Sequence, residues 1–528
     1  PCRITPKSPR GICGCDVHGI VGRNFLKFTA GGAATHSDHG REIMHTLHQT
    51  QELTAEVIVP DSCADADRVV DAFGTLLVRA EECTAGSASV SGEVQAGILF
   101  VTEDGRLERL ETVIPFSARR GWEGEQSDCR LQCVCRLCSV DARLVHSRKL
   151  LVRVGVSCTL TVYAAFTRTL HDFPEPAPTL QLRRKRLPLR LPRGLGEKSF
   201  SLNEEIEIPA SKPPVERLLK CVYALDTAER KTIGNKAVFK GRLTVHILYE
   251  APDGSLQRQE TELPFSQFAE LEQDLDEGDL TVFLALTSAE TEPDGQLDCR
   301  RLLLSAGILA QCTVCGEQPV ELIEDAYCLD AELKPQWETW EMEGILDVQT
   351  FRETAQAAGR EPASAIADGW VLAGEPVRRQ ENGMAKIELP LAANVLFTDP
   401  AGKLQGQTLR TNVLLETALA PQADCRVTEI TPGELFCAAG ADGVTLRCPV
   451  QVTLASTARH ALKAVCGGTT EPEPEDARRP GVILRRTEQP EQVWDIAKAC
   501  RTAPETVTAA NDLQADEAPA GTLLLIPM

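Results

Sequence analysis

The sequence predicts a mainly β protein, with three tandem antiparallel β-sandwich-like domains followed by a small βααβ module. Three observations predict it. A set of landmark residues recurs with a period near 149 positions. Between the landmarks, apolar and polar residues alternate with period two, broken by turn residues at roughly ten-residue intervals. Near the C-terminus the spacing becomes helical, flanked by two short apolar runs. The chain has 528 residues, 43% of them hydrophobic, enough for several cores.

The first repeat is marked by Pro60, Gly92, Asp104-Gly105 and Pro115-Phe116-Ser117, which recur as Pro209, Gly241, Asp253-Gly254 and Pro264-Phe265-Ser266, each at an offset of 149. Val90–Phe100 and Phe239–Tyr249 alternate in polarity and run into the Asp-Gly pairs. This spells strand, turn, strand, because alternation buries one face and Asp-Gly tolerates the positive φ of a hairpin turn. The proline of Pro-Phe-Ser lacks an N–H and is expected to end the pairing. Arg148–Val152 and Arg300–Leu304 match at an offset of 152, so three residues are inserted in an intervening loop. A third, weaker copy follows. Val395-Leu396-Phe397 and Gly402 lie 148 positions after Ile247-Leu248-Tyr249 and Gly254, Asn412-Val413-Leu414 replaces Pro-Phe-Ser, and Val444–Leu454 supplies the closing apolar run.

These landmarks divide the chain into an upstream extension (1–43), repeat 1 (44–172), a Pro/Arg-rich linker (173–199), repeat 2 (200–335), a divergent repeat 3 (336–465), an acidic linker (466–480) and the small module (481–528). The extension holds Cys2, Cys13, Cys15, His18, His36 and His39 without either regular period. Met44 is the first methionine, and Gly40-Arg41-Glu42 before it is what a purine-rich ribosome-binding site would encode, so the native protein is expected to start at Met44. Arg183-Arg184-Lys185-Arg186 reads as a solvated linker or edge strand in preference to a dock for an acidic neighbour. Trp337 and Trp340 read as caps on a domain interface.

With 55 Lys+Arg against 76 Asp+Glu, a net charge of -21 speaks against nucleic acid as a partner. No apolar stretch approaches the length that spans a bilayer, so no membrane insertion is expected, and the residues after Met44 lack a secretory apolar core. The expected compartment is the cytoplasm, where the cysteines serve as small buried hydrophobes. Cys133-Val-Cys135 and Cys312-Thr-Val-Cys315 lack the second ligand pair that tetrahedral zinc requires. His146 and His246 fall at non-equivalent strand positions. No phosphate-binding loop, dinucleotide fingerprint, zinc-protease helix or nucleophile elbow is present, so the expectation is no enzyme and no catalytic, metal or cofactor residue.

In the module, Trp494-Asp-Ile-Ala-Lys498, Thr506-Val-Thr-Ala-Ala-Asn511-Asp-Leu513 and Gly521–Pro527 resemble a LysM domain. The resemblance implies binding of N-acetylglucosamine-containing glycans between the loop before the first helix and the loop after the second. Where the family has Gly-Asp-Thr, this chain has Gln489-Pro490-Glu491-Gln492, which puts sugar binding in doubt. The repeats resemble the SPOCS domain, also called DUF3794, and their order with a terminal LysM resembles the SipL-type spore coat morphogenetic proteins. The resemblance implies a non-catalytic scaffold of spore coat assembly in the mother-cell cytoplasm at the forespore surface. It implies stage IV sporulation protein A as a partner recruited through the LysM module. Glu491, Gln492, Val493, Trp494, Asn511, Asp512 and Leu513 would form the contact, with Trp494 divided between core and interface and Asn511 favoured as a helix end. The alternative is an envelope protein that binds peptidoglycan through the same residues.

Overall fold

The computed structural model describes residues 37–123, 128–169, 179–275, 278–295, 299–472 and 480–528. Each repeat is two antiparallel sheets built from equivalent strands. In the first, β1 (Ser37–Ile58), β2 (Ala66–Thr84), β3 (Ser87–Thr102), β4 (Leu107–Gly121), β5 (Cys129–His146) and β6 (Lys149–Thr169) form sheets of order β1-β6-β5 and β2-β3-β4. In the second, β7 (Leu180–Glu207), β8 (Arg217–Ile233), β9 (Lys236–Glu250), β10 (Leu256–Glu270), β11 (Asp279–Pro293) and β12 (Arg301–Cys328) give β7-β12-β11 and β8-β9-β10. The third contains β13 (Ala331–Ala358), β14 (Ala365–Ala373), β15 (Val377–Glu381), β16 (Met384–Thr398), β17 (Leu404–Ala418), β18 (Ala423–Pro432), β19 (Phe436–Ala438) and β20 (Thr445–Pro472). Here β13-β20-β18 is one sheet. In the other, β14, β15 and β17 all pair with β16, so β14 and β15 replace one unbroken strand.

The alternation predicted for the central strands is visible in their burial. Val90, Val94, Ala96, Ile98 and Phe100 of β3 face the core, as do Phe239, Leu243, Val245, Ile247 and Tyr249 of β9. The hairpin turns place Gly105, Gly254 and Gly402 at φ of 83°, 78° and 78°, where a side chain would be strained.

The expectation that Pro-Phe-Ser ends the pairing is corrected. Pro115 stands opposite Glu93 and the ladder continues to Gly121; Pro264 stands opposite Arg242 and the ladder continues to Glu270. Both prolines lie on edge strands, where a missing N–H can face away from the ladder. The motif has a packing role. Phe116 pairs with Gly92 and Phe265 with Gly241, and a Cβ on either glycine would meet the ring at 2.6 and 2.5 Å. In repeat 3 the same ladder position holds Leu389 opposite Val413, a redistribution of side-chain volume across the pair.

The Arg183–Arg186 strip, expected as a solvated linker or edge strand, lies on the edge strand β7, which runs through Pro188 and Pro192 and pairs with β12 along its length, so residues 180–199 of the expected linker are strand. Beyond Cys315, β12 pairs with β7 alone, making a two-stranded ribbon. The outer parts of β13 and β20 make a second ribbon, and the two pack through Leu189, Leu191, Val320, Leu322, Met342 and Leu462. Arg184 and Arg186 pair with Glu321, and Arg183 with Glu324, so the basic strip is neutralised within the chain. At the other end, β1 begins before Met44, with Ser37–Ile43 opposite Thr169–Tyr163 of β6.

The small module contains β21 (Val482–Arg486), β22 (Glu491–Gln492), α1 (Val493–Cys500), α2 (Pro504–Ala510), β23 (Glu517–Ala518) and β24 (Leu523–Pro527). β21 pairs with β24, and Val493, Ile496, Ala497, Val507, Leu524 and Ile526 form its core. Among the described residues, no helix is long and apolar enough to cross a membrane.

Candidate functional site

The three repeats meet at a buried ionic centre. Lys220 Nζ lies 2.7 Å from Asp71 Oδ2 and 2.9 Å from Asp368 Oδ2, with all three side chains at most 7% exposed. Asp71, Lys220 and Asp368 are spaced by 149 and 148 positions, so each repeat contributes its residue at the same place. Burial pushes the Lys220 pKa down, but the carboxylates of Asp368 and Asp71 more than offset this and hold the ammonium charged. The next equivalent set, two residues on, is Phe73, Val222 and Trp370. The Phe73 and Trp370 rings lie 5.4 and 5.1 Å from Nζ, and Trp370 Nε1 donates to Asp71 Oδ1. Sequence reasoning missed this centre, although a charged residue recurring within apolar strands at the repeat spacing was its available signal.

Repeats 1 and 2 also enclose a polar cleft of about 230 Å³ between β5 and the β7–β12 pair, lined in part by Gln132, Tyr163, Glu197, Gln311 and Thr313. Gln311 serves the open edge of β5 as a strand would: its Oε1 accepts from the Cys133 N–H at 2.8 Å, and its Nε2 donates to Leu131 O. Nε2 also donates to Glu81 Oε2 at 2.6 Å, while Tyr163 Oη donates to Gln132, which donates to Thr313. Burial, reinforced by the negative charge of Glu197, pushes Glu81 up to about 7, so this carboxyl changes charge near neutrality.

In the module, Val493 is 2% exposed and belongs to the core, which corrects the expectation that it lines a contact surface. Its position as the first residue of α1 turns it inward against Ile496 and Ala497. Trp494 takes the interface role, but within the chain. Its Nε1 donates to Asp325 Oδ2 at 2.9 Å, its ring meets Tyr327 edge-on at 5.0 Å, and Arg183 lies over it at 5.7 Å. Lys498 Nζ lies 2.7 Å from both Asp325 oxygens, and Tyr327 Oη donates to Thr502 O. Burial raises the Asp325 pKa, but hydrogen bonds from Lys498 and Trp494 outweigh it and hold the carboxyl below its usual range. The module is therefore seated on the tip of the β7–β12 ribbon.

The other predicted contact residues are placed as follows. Glu491 and Gln492 form β22, with Glu491 bonded to Arg485 at 2.6 Å, and Gln492 precedes α1 without capping it. Asn511 ends α2, donating to Val507 O and Leu525 O and accepting from the Leu525 N–H. Asp512 adopts φ of 51°, and Leu513 packs against the module core. The outward face of β21 and β24 presents Val482, Leu484, Leu523 and Leu525, all exposed.

Among the described residues, no group of three or more His, Cys, Asp or Glu side chains is placed to hold a metal ion. Cys2, Cys13, Cys15, His18 and His36 lie outside the described residues.

Comparison with known proteins gives two family matches. Residues 1–105 match the Prismane/CO dehydrogenase family, a stretch that continues through β1, β2 and β3. Residues 214–290 match the family described as SipL, SPOCS domain, within the second repeat. The chain is similar to carbon monoxide dehydrogenase 1 of Carboxydothermus hydrogenoformans, at 53% identity over 55 residues, covering 10% of this chain and 9% of the relative. It is similar to carbon monoxide dehydrogenase of Methanopyrus kandleri, at 62% over 34 residues, covering 6% and 5%, and to that of Rhodospirillum rubrum, at 48% over 46 residues, covering 8% and 7%. The chain thus spans less than a tenth of the length of these curated relatives.

These matches overturn two expectations: that the chain is a non-catalytic scaffold of coat assembly or a glycan-binding envelope protein, and that it is not an enzyme. The N-terminal match is to relatives named as an enzyme, carbon monoxide dehydrogenase. Residues 1–43, read from the sequence as an upstream extension, lie within the stretch that matches. The described residues do not supply a metal site for such an enzyme, and no reaction step is assigned to them.

Proposed function

We propose that this chain joins a redox segment of the Prismane/CO dehydrogenase kind to a body of three SPOCS-type repeats with a terminal LysM-like module. The observation that carries the redox reading is the 53% identity over 55 residues with carbon monoxide dehydrogenase 1 of Carboxydothermus hydrogenoformans. Residue chemistry supports it. Cys2, Cys13 and Cys15 are soft thiolate donors close together in sequence, the donor type that takes zinc, copper(I) or an iron–sulfur cluster. An iron–sulfur centre, when bound, supplies one-electron redox chemistry. The shared two-sheet topology of the repeats, strand for strand in the first two and with β14 and β15 in place of one strand and β19 added in the third, supports the tandem reading of the body, as does the family match inside the second.

The test is purification of the full chain without oxygen, followed by metal analysis and an assay of carbon monoxide-dependent viologen reduction. The expected outcome is a bound transition metal that is lost in Cys2→Ala and Cys13→Ala while the β-sheet circular dichroism is unchanged. Absence of both cysteine-dependent metal and carbon monoxide-dependent reduction overturns the reading.

A further inference from the structure

Strand β5 carries Cys129, Cys133, Cys135 and Cys138, and the register places Cys135 directly opposite Cys158 of β6. Their sulfurs are 3.5 Å apart, both thiols are free, and they lie on neighbouring strands already fixed by the ladder. Cys158 is fully buried, whereas Cys135 is half-buried and is the more accessible of the two. A disulfide needs about 2.05 Å between sulfurs, so the pair needs only side-chain adjustment along a line it already occupies. Cys133, two residues away on the same strand, stands opposite Leu160 and has no such partner across the ladder.

We infer that Cys135 and Cys158 are a two-electron oxidation site, converted by a hydroperoxide into a disulfide that staples β5 to β6. The balance is complete. The Cys135 sulfur takes one oxygen from hydrogen peroxide, giving a sulfenic acid and one water. The Cys158 sulfur then displaces the hydroxyl, which leaves as a second water with the proton of the Cys158 thiol. Two thiols are oxidised and one peroxide is reduced. The hydrogen bond from the Cys135 thiol, with burial, pushes the Cys135 pKa up while the same bond holds Cys158 down, so the pair shares a proton that must leave before the Cys135 sulfur can react. Oxidation therefore quickens as rising pH draws that shared proton off. The consequence is mechanical: β5 is the strand whose free edge carries the junction with repeat 2, and the staple ties it to the central strand of its own sheet.

The experiment treats the reduced full chain with hydrogen peroxide at several pH values, alkylates the remaining thiols after unfolding, and maps the tryptic peptides by mass spectrometry. Trypsin leaves Cys133 and Cys135 on one peptide, so fragmentation must assign the bond. The expected result is a Cys135–Cys158 cross-link whose yield rises with pH, persists in Cys133→Ser and disappears in Cys135→Ser. In Cys158→Ser, dimedone should trap the Cys135 sulfenic acid. The wild-type map decides the matter even if a variant fails to fold. Full alkylation of Cys135 and Cys158 after peroxide treatment, a cross-link between other thiols such as Cys83 and Cys129 in its place, or progression of Cys135 to sulfinic acid overturns the inference.

Discussion

Lys220 and Asp71 stand 149 positions apart in sequence and 2.7 Å apart in space, so one repeat length of chain returns to almost the same point. Asp368 completes the set from the third repeat. A buried cation between two carboxylates specifies which repeat sits where, since three identical charges at this point would repel at low local dielectric.

Removing the cation should be severe. Lys220→Met leaves two buried carboxylates facing each other and is expected to destabilise the body by about 3–5 kcal/mol. The triple variant Asp71→Asn, Lys220→Met, Asp368→Asn should recover most of that loss. Urea unfolding followed by tryptophan emission checks both, and equal stability of the single variant and the parent would refute the assigned role.

A methyl group on Gly92 is expected to cost about 2–3 kcal/mol through overpacking. Its Cβ would press on the Leu77 carbonyl as well as the Phe116 ring, and shortening the ring cannot relieve the backbone clash. Gly92→Ala should therefore lower the melting temperature, with only partial rescue by Phe116→Val. The equivalent change at Gly241 should behave alike.

The Glu81 carboxyl makes stability depend on pH in a fixed direction. Its pKa is about 7 in the folded chain, raised from 4.5, so the native state holds a proton that the unfolded state has released across this window. Stability should fall as pH rises from about 4.5 through about 7, by on the order of 2 kcal/mol after allowance for solvent screening, and then level off. Glu81→Gln should flatten that slope in a series of thermal melts.

Asp325 titrates with the opposite sign. Its pKa is depressed by Lys498 and Trp494, so the contribution of this contact is present above the ordinary carboxylate range and is lost as pH falls through the folded value. Asp325→Asn should loosen the module from its seat at neutral pH. Hydrogen exchange should rise in α1 and in the Tyr327 region, while the amides of β3 and β9 stay protected.

Much of this fold was legible because identical physics repeats along the chain. The Asp-Gly turns and alternating strands around Val94 and Val245 announced hairpins, and the helical spacing of Val493, Ile496 and Ala497 announced α1. Strand length was not legible. Pro115 and Pro264 read as terminators, but on an edge strand a proline whose missing N–H faces away from the ladder forfeits no ladder bond. Pairing across repeats was also hidden, because nothing local to Asp71 says that its partner lies a repeat away. For the site, the helical spacing that sets Val493 beside Ile496 and Ala497 already turns it inward, but the seat of Trp494 on Asp325 depends on the ribbon tip, which lies far away in sequence. The N-terminal cysteines, Cys2, Cys13 and Cys15, follow no regular period, so the sequence pattern alone gives them no common face.

The meeting of all three repeats at Lys220 has a topological consequence. Arg217 reaches Glu108 between repeats 1 and 2, Asn394 reaches the Ala72 carbonyl between repeats 3 and 1, and the two ribbons join repeats 2 and 3. Such a closed circuit has three seams for three units, one more than a linear array of the same length would possess. Severing one connecting peptide leaves every unit gripped by two neighbours. A chain nicked between Leu329 and Ala331 should therefore stay assembled as a two-piece complex, its halves held by seams in place of a covalent joint.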